Sequence, residues 1–345
     1  MQRFQYQIKP EIANVLSNQI IIPRFYYGEY FDNYVESSPS KINISFSADA
    51  HLSKLDHLRQ KFHFCYGAEN AEEVYFERPL GFGLNAKLHC KNLMTDPQIH
   101  VNRTYYKLIR LKIDNIFPPG VHLGDTLSLL LLKNNYIPLH CAAISSSNNE
   151  GILLAAPPDG GKSTTSMLAV KRGYGFLSED ISIADDKYVY ANPQTTTFYH
   201  IPGVNINRPL RQKLTRFTDL NMPVLSYFIT PKADRIYEIM KDMKIDLKVP
   251  IKYIFILDKG EDKLEQLDSK EALRRILIIN RNQFSHHKNT LLFAYSYFNR
   301  SLDINALMQK EEKLIENMTS NVKSYLVRCA DIANFINIID KTIHR

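Results

Sequence analysis

The sequence predicts an α/β protein whose first part is rich in β-strands. Two observations carry this prediction. Residues 1–120 alternate short β-like runs with turn-rich gaps. Residues 151–172 instead contain an apolar run, a loop with adjacent glycines and a helical segment, an order typical of an α/β core built on a mixed sheet with helices.

Length and composition set the first limits on what this chain can be. Its 345 residues exceed one ordinary core and suit two domains of ~100–200 residues each. With 44% hydrophobic and 23% charged residues, it resembles globular rather than disordered proteins. No apolar run approaches the ~18–20 residues that cross a bilayer, and the charged N-terminus lacks a signal-peptide segment. We therefore expect a cytoplasmic protein with no membrane partner.

The charge distribution and the cysteine spacing argue against two further classes of protein, namely nucleic-acid-binding proteins and proteins built on zinc or disulfide sites. A formal charge of +7 could attract the phosphates of a nucleic acid, but the basic residues are spread along the chain rather than clustered. We therefore expect no nucleic-acid partner. A pocket for a polyanionic nucleotide and an acidic peptide would account for the same excess of positive charge. The four cysteines form no CxxC pair, which predicts buried thiols rather than a zinc site or disulfides.

Short strand-like runs define the first part of the chain. They are Gln19–Ile22, Ile42–Phe46 and Tyr105–Leu111. Consecutive prolines in Asn115–Gly120 interrupt both helices and strand ladders, which indicates a boundary there. We therefore predict a β-rich N-terminal domain at 1–120, suited to substrate recognition, and a second domain at 121–345.

The second part opens with a helix. Asp125 is placed to cap it, and apolar side chains on several faces predict a buried helix that ends near Asn134. Leu139–Ile144 and Gly151–Ala155 read as two buried strands joined by a polar turn. A hairpin therefore leads into the glycine-containing loop. Near the C-terminus, Ile304–Asn317 has Glu and Lys at helical spacing, which predicts a solvated helix.

The loop that follows the hairpin is the most specific motif. It reads Ala156, Pro157, Pro158, Asp159, Gly160, Gly161, Lys162, Ser163 and Thr164, and a helix follows it. Its glycines let backbone N–H groups turn inward around phosphates, and the helix N-terminus adds partial positive charge. We predict that Lys162 reaches the β- and γ-phosphates of ATP and that Ser163 ligates Mg²⁺. Ala156 replaces the first glycine of the motif, which leaves a non-catalytic nucleotide-binding loop open.

An acidic pair and a histidine complete the candidate site. Tyr174–Ile181 is a short apolar strand that ends in Glu179 and Asp180. A strand after the loop helix can return beside the phosphate strand, which would bring its C-terminal end near the γ-phosphate. One carboxylate would then assist Mg²⁺ and the other accept a hydroxyl proton. His140, one strand earlier, is a candidate donor or proton partner. A polar turn and a structural histidine are the alternatives.

Leu139-His140, the loop Ala156–Thr164 and Leu177–Asp180 together resemble the HPr kinase/phosphorylase superfamily in order and spacing. The later run Val249–Asp258 and the helical segment Ser269–Ile279 look like the late strand and helix of divergent members. The segment that true HPr kinases use for phosphorolysis has no clear match, so the dual-function enzyme is not expected. The resemblance implies an HPr kinase-like core after the β-rich domain.

Site roles follow from this resemblance residue by residue. His140 matches the phosphate-side histidine, and Lys162 with Ser163 matches the loop pair. Glu179 matches the catalytic base, where the family has Asp, and Asp180 matches its magnesium-associated partner. The catalytic group would therefore be Glu179, Asp180 and His140, with Ser163 and Asp180 on the metal.

The substrate class also rests on resemblance. Divergent members of this size look like the tailoring kinases of ribosomal peptide clusters, including those that phosphorylate a serine of lasso-peptide precursors. This implies ATP, Mg²⁺ and a peptide or protein acceptor, with a precursor peptide preferred and a homo-oligomer possible. The alternatives are a nucleotide-gated binding protein without transfer, a small-molecule kinase and a nucleotidyltransferase. The segment Phe198–Arg211 reads as a helix start with solvated arginines rather than as a substrate site.

Overall fold

The computed structural model describes residues 4–8, 11–19, 22, 25, 27–31, 40–48, 51–81, 83–108, 122–193 and 243–344. They form a mixed α/β fold with two nine-stranded sheets. The predicted boundary Asn115–Gly120 and the segment Phe198–Arg211 lie outside the described residues, as do Ile20 and Ile21 of the first predicted strand. The division into two domains therefore stays a prediction.

The first sheet is built entirely from the first part of the chain. Its strands run in the order β3-β1-β2-β4-β9-β8-β7-β6-β5. Pairing is antiparallel except between β2 and β4 and between β4 and β9. The strands are β1 Phe4–Ile8, β2 Ala13–Ser17, β3 Glu29–Phe31, β4 Ile42–Ser47, β5 Gln60–Phe62, β6 Cys65–Gly67, β7 Glu73–Gly81, β8 Leu84–Lys91 and β9 Gln98–Val101. The predicted strand Ile42–Phe46 is confirmed as β4, whose side chains alternate between buried and exposed.

A helix replaces one predicted strand. Helix α1 spans Arg103–Leu108, where the aromatic and apolar run from Tyr105 predicted a strand. The prediction was wrong because Asn102 precedes the run, and its side-chain Oδ1 accepts a hydrogen bond of 3.0 Å from the Tyr105 N–H. An asparagine in this position satisfies the free donors at a helix start. Tyr105 and Tyr106 are buried, so the aromatic pattern reflects packing rather than a strand.

The second sheet carries the candidate site. It runs in the order β10-β14-β15-β16-β12-β11-β13, and β18 extends it from β16 to β17. Its strands are β10 Ile137–Leu139, β11 Cys141–Ser145, β12 Gly151–Ala155, β13 Gly175–Ser178, β14 Ser182–Ala184, β15 Tyr188–Tyr190, β16 Lys248–Lys259, β17 Lys263–Leu267 and β18 Lys323–Cys329. The predicted hairpin is confirmed, because β11 and β12 pair antiparallel. The strand predicted at Val249–Asp258 is confirmed as β16.

The described residues form six further helices, which pack on this sheet and between the sheets. They are α2 His122–Lys133, α3 Lys162–Lys171, α4 Ser269–Gln283, α5 Thr290–Phe298, α6 Ile304–Ser320 and α7 Phe335–Ile343, with a short 3-10 helix at Ile332–Asn334. Apolar residues of α4 and α6 cover one face of the second sheet. Residues of α3 and α7 cover the other face. The sheet is thus the middle layer of three, which explains why β11 and β12 are buried throughout.

Two helix predictions need correction. Helix α2 begins at His122, so Asp125 lies in its first turn and is not the cap. Its buried carboxylate accepts hydrogen bonds from Ser285 and Asn289, which lie between α4 and α5. Helix α6 starts at the predicted residue but is not simply solvated, because Ile315 and Met318 are buried against α4. Glu311 is also buried on this face, whereas Glu312, Lys313 and Glu316 are exposed.

The cysteines agree with the expectation from the sequence. All four cysteines are buried free thiols. Among the described helices, none combines the length and the apolar character that a membrane span requires.

Candidate functional site

The 156–164 loop joins the end of β12 to the start of α3, and steric constraints fix its two glycines. Gly161 has φ 95° and lies immediately before α3. A Cβ atom on Gly161 would lie 2.7 Å from Cγ2 of Ile332, and one on Gly160 would lie 2.6 Å from Cβ of Ala156. Side chains are therefore excluded at both positions. The φ of Ala156 lies outside the left-handed region, so alanine carries no backbone strain there.

The start of α3 suits an anion. Its first turn contains no acidic residue, and no side chain in the described part of the chain caps it. The first N–H groups of a helix have no partner within the helix, and they carry partial positive charge. Together with two glycines that leave no room for a Cβ, these groups form the cradle that a phosphate chain would occupy.

Lys162 places a buried cation inside the loop. Lys162 is buried, with 5% of the residue exposed. Its Nζ donates to the carbonyl oxygen of Ala156 at 3.0 Å and lies 3.2 Å from Nε2 of His140. Burial lowers the pKa of Lys162, and the negative charge of Asp180, whose Oδ1 is 4.0 Å away, acts in the opposite direction. The loop thus holds a lysine whose charge is only partly balanced by protein groups.

Sheet topology explains why distant residues meet this lysine. Strand β11 pairs antiparallel with both β12 and β13. The start of β11 and the ends of β12 and β13 therefore lie at one edge of the sheet. His140 precedes β11, the loop follows β12, and the Glu179-Asp180 pair follows β13. We expected β13, the strand after the loop helix, to lie beside β12, the strand that leads into the loop. This expectation was wrong, because β11 lies between β12 and β13. The end of β13 nevertheless lies at the same edge of the sheet as the end of β12.

The buried His140 pairs with the partly exposed Asp180. Nε2 of His140 lies 3.0 Å from Oδ1 of Asp180, and the imidazole side chain is 2% exposed. Burial alone would raise the pKa of Asp180, but the hydrogen bond with His140 and the charges of His140 and Lys162 outweigh it. The net effect is a pKa below the ordinary value. Asp180 is therefore an ionised carboxylate at neutral pH, with 21% of its side chain still exposed.

Glu179 differs from its neighbour in accessibility. It is fully buried, and its charge acts on Lys162. The structure thus brings together four of the predicted residues: His140, Lys162, Glu179 and Asp180. Their roles remain predictions, since geometry alone does not assign a base.

The predicted metal ligands, Ser163 and Asp180, come from two different elements of the second sheet region. Ser163 is in the first turn of α3 and is partly buried, and Asp180 follows β13. Among the described residues, no three side chains of His, Cys, Asp or Glu are arranged to hold a metal ion. Magnesium at a nucleotide site takes most of its ligands from phosphate oxygens and water, with one or two protein oxygens. A hydroxyl and an ionised carboxylate fit that donor set.

Sequence reasoning missed a residue that holds His140. Oδ1 of Asn280, on α4, accepts a hydrogen bond of 2.9 Å from the His140 N–H. Its Nδ2 donates to the Pro138 carbonyl at 3.0 Å and to Oε1 of Glu311 at 3.2 Å. A buried amide thus fixes the backbone at the imidazole. No local signal could find it, because 140 residues separate Asn280 from His140.

Comparison with known proteins adds little to this geometry. The sequence matches no family model. It also matches no curated protein. Among solved structures, the chain is similar to the Hpr(Ser) kinase/phosphatase from Coxiella burnetii, with 9% identity over 60% of this chain and 95% of that chain and a TM-score of 0.27. A TM-score this low establishes neither a family nor an activity.

Proposed function

We propose that this protein is an ATP- and magnesium-dependent kinase that phosphorylates a serine-type hydroxyl of a peptide or protein, with a ribosomal precursor peptide as the preferred acceptor. One observation carries the proposal: the Lys162 ammonium, the His140 imidazole and the Asp180 carboxylate meet at the mouth of a loop that leads into a helix N-terminus. The acceptor class comes from the resemblance of the sequence motifs alone.

The donor nucleotide would bind through the loop. Backbone N–H groups before and within the first turn of α3 would receive its phosphates, and Lys162 would neutralise part of their charge. Ser163 and Asp180 are the residues that would hold magnesium. When bound, magnesium supplies further charge neutralisation at the phosphate oxygens.

The transfer itself balances without a covalent enzyme intermediate. The acceptor oxygen bonds to the γ-phosphorus, and the bond from that phosphorus to the β,γ-bridging oxygen breaks, which releases ADP. The hydroxyl proton passes to a carboxylate of the Glu179-Asp180 pair. Catalysis would come from positioning and charge neutralisation.

The two carboxylates are suited to different roles. Asp180 is ionised and partly exposed, which suits a group that assists magnesium. Glu179 is fully buried, so it can accept the acceptor proton only if its side chain turns toward the acceptor when substrates bind. This division agrees with the roles that the sequence resemblance implies.

Intact-mass measurement tests the proposal directly. A precursor peptide encoded beside this gene is incubated with the protein, magnesium and ATP. Lys162→Ala is the test variant, and Lys171→Ala, which removes an exposed lysine from the same helix, is the matched control. We expect the mass of one phosphate to be added by the wild type and by Lys171→Ala, but not by Lys162→Ala. Equal phosphorylation by all three proteins would refute the site.

A nucleotide-gated binding protein is the second candidate. The observation in its favour is that the Lys162 ammonium already donates to the loop's own Ala156 carbonyl. ATP binding with no mass change in any offered peptide or small molecule would support it. Addition of a nucleotide mass instead of a phosphate would indicate a nucleotidyltransferase.

A further inference from the structure

Asn192 closes the turn that carries the acidic pair. It is 2% exposed and lies two residues beyond β15. Its backbone N–H donates to the Leu177 carbonyl at 2.8 Å, and its Nδ2 donates to the Ile181 carbonyl at 2.7 Å. These two acceptors stand on either side of residues 178–180. A single asparagine therefore holds both ends of the segment that contains the two carboxylates.

The third hydrogen bond of Asn192 reaches the other sheet. Its Oδ1 accepts from the Gly28 N–H at 2.7 Å. Gly28 immediately precedes β3, the edge strand of the first sheet, and has φ +80°. A Cβ atom there would lie 3.0 Å from the Gln7 carbonyl oxygen on β1, so the backbones are in close contact. The bond is thus anchored on a part of the first sheet where only glycine fits.

A separate set of bonds fastens the turn to β11. The hydroxyl groups of Ser178 and Ser182 are hydrogen-bonded to each other, and the Ser182 Oγ donates to the Cys141 carbonyl at 2.9 Å. These serines place the turn beside His140 but do not reach the first sheet. Of the hydrogen bonds described for this turn, the one that reaches the first sheet is made by Asn192.

We propose that Asn192 is a positioning residue that fixes the Glu179-Asp180 turn against Lys162 and couples it to the first sheet. The catalytic part of this inference rests on the proposed kinase function. A buried asparagine with three well-formed bonds to the backbone restricts the turn, and loss of its side chain leaves the Ile181 carbonyl and the Gly28 N–H without these partners. The first sheet would then influence phosphoryl transfer without contacting ATP.

A purely structural role for Asn192 needs a matched comparison. Asn299 provides it, because it is fully buried, its Oδ1 accepts from the Glu72 N–H at 2.6 Å, and its Nδ2 donates to the Tyr295 carbonyl at 3.0 Å. It also joins the first sheet to another element, helix α5, and it contacts no residue of the site. Asn192→Ala and Asn299→Ala should therefore lower the free energy of unfolding by similar amounts, because each removes two hydrogen bonds between a buried side chain and the backbone.

The test measures hydrogen exchange and turnover in the full chain. Amides of residues 177–182 should exchange faster in Asn192→Ala than in the wild type or in Asn299→Ala. With the wild type active, the kcat of Asn192→Ala should fall by about 10–100-fold, the usual effect of removing a group that orients a catalytic one. The KM for ATP should stay constant, because the hydrogen bonds of Asn192 with Leu177, Ile181 and Gly28 lie outside the 156–164 loop. Asn299→Ala should keep the wild-type kcat.

Asn192→Asp is a second variant that keeps the test decisive if Asn192→Ala does not fold. It preserves the shape and the acceptor for Gly28, but it places an oxygen against the Ile181 carbonyl. Faster exchange in residues 177–182 is again expected. Unchanged exchange in both variants would overturn the positioning role, and faster exchange with unchanged kcat would overturn its catalytic consequence. A wild type that neither binds nor turns over ATP would instead refute the proposed function, while the exchange data would still decide whether Asn192 holds the turn.

Discussion

Nε2 of His140 lies 3.0 Å from Oδ1 of Asp180, although 40 residues separate them in the chain. The same nitrogen lies 3.2 Å from the ammonium of Lys162. A ring nitrogen cannot donate to the carboxylate and accept from the ammonium at once. Whether Nε2 carries a hydrogen therefore decides which neighbour it binds, the Asp180 carboxylate or the Lys162 ammonium.

The first prediction concerns His140→Ala. The hydrogen bond with His140 helps to hold the pKa of Asp180 below its ordinary value against the effect of burial. Its removal should raise that pKa, so the acid limb of the kcat profile should move to higher pH. We also expect kcat at neutral pH to fall by about 10²-fold or more if the imidazole takes part in proton transfer. Overlapping pH profiles for wild type and variant would contradict the pairing as a functional feature.

The second prediction separates the two carboxylates. If Asp180 assists magnesium, Asp180→Asn should need more Mg²⁺ for half-maximal activity and should lose most of its kcat. Glu179→Gln should abolish transfer with no change in the Mg²⁺ dependence, because its role is in proton transfer. Titration of activity against Mg²⁺ at saturating ATP measures both effects. The reverse result, with the Mg²⁺ dependence changed in Glu179→Gln alone, would exchange the two assignments.

The third prediction uses two glycines with the same backbone conformation. Gly161 and Gly173 both have φ near +95°, with values of 95° and 93°. Alanine at either position costs roughly 1–2 kcal/mol in this region. At Gly173 a Cβ meets nothing within 4 Å, whereas at Gly161 it meets Ile332 at 2.7 Å. Gly161→Ala should therefore lose more stability and also lose ATP binding.

Thermal unfolding and nucleotide titration check this pair of variants. Gly173→Ala should bind ATP like the wild type, because it alters only the C-terminal end of α3. Retention of full ATP affinity in Gly161→Ala would show that the tight turn before the helix is not part of the nucleotide site.

The sequence predicted the loop and its neighbours well because that information is contiguous. The strand β12, the glycines and the helix follow one another within about two dozen residues, and each has a local signature. The hairpin before the loop was predicted for the same reason. Residues 105–108 were predicted wrongly, since a run of aromatic residues fits a strand or a buried helix, and Asn102 favours the helix through a hydrogen bond at its start.

The rest of the site depends on long-range contacts that no local pattern encodes. The pairing of β13 with β11, rather than with β12, is a property of the folded sheet. Asn280 binds His140 across 140 residues, and Asn192 binds Gly28 across 164. A buried asparagine has no distinctive sequence context, so these supporting residues become visible only in three dimensions.

The last prediction concerns stability rather than activity. Asp125 is buried in α2, and its carboxylate accepts hydrogen bonds from Ser285 at 2.9 Å and from Asn289 at 2.6 Å. Burial raises its pKa from 3.8 to about 7, and the two hydrogen bonds only partly oppose this. A carboxyl group whose pKa is higher in the folded state contributes stability below its unfolded pKa. That contribution is lost as the pH rises through the folded pKa, here between about pH 4 and 7.

Asp125→Asn should remove this dependence. The free energy of unfolding of the variant minus that of the wild type should increase as the pH rises from 4 to 7, by up to about 1.4 kcal/mol per pH unit. Urea unfolding at several pH values measures this difference. His286, whose pKa burial lowers to about 3, gives the opposite slope but is present in both proteins, so its effect cancels. A difference that stays constant with pH would show that Asp125 titrates normally, and hence that its burial does not control its charge.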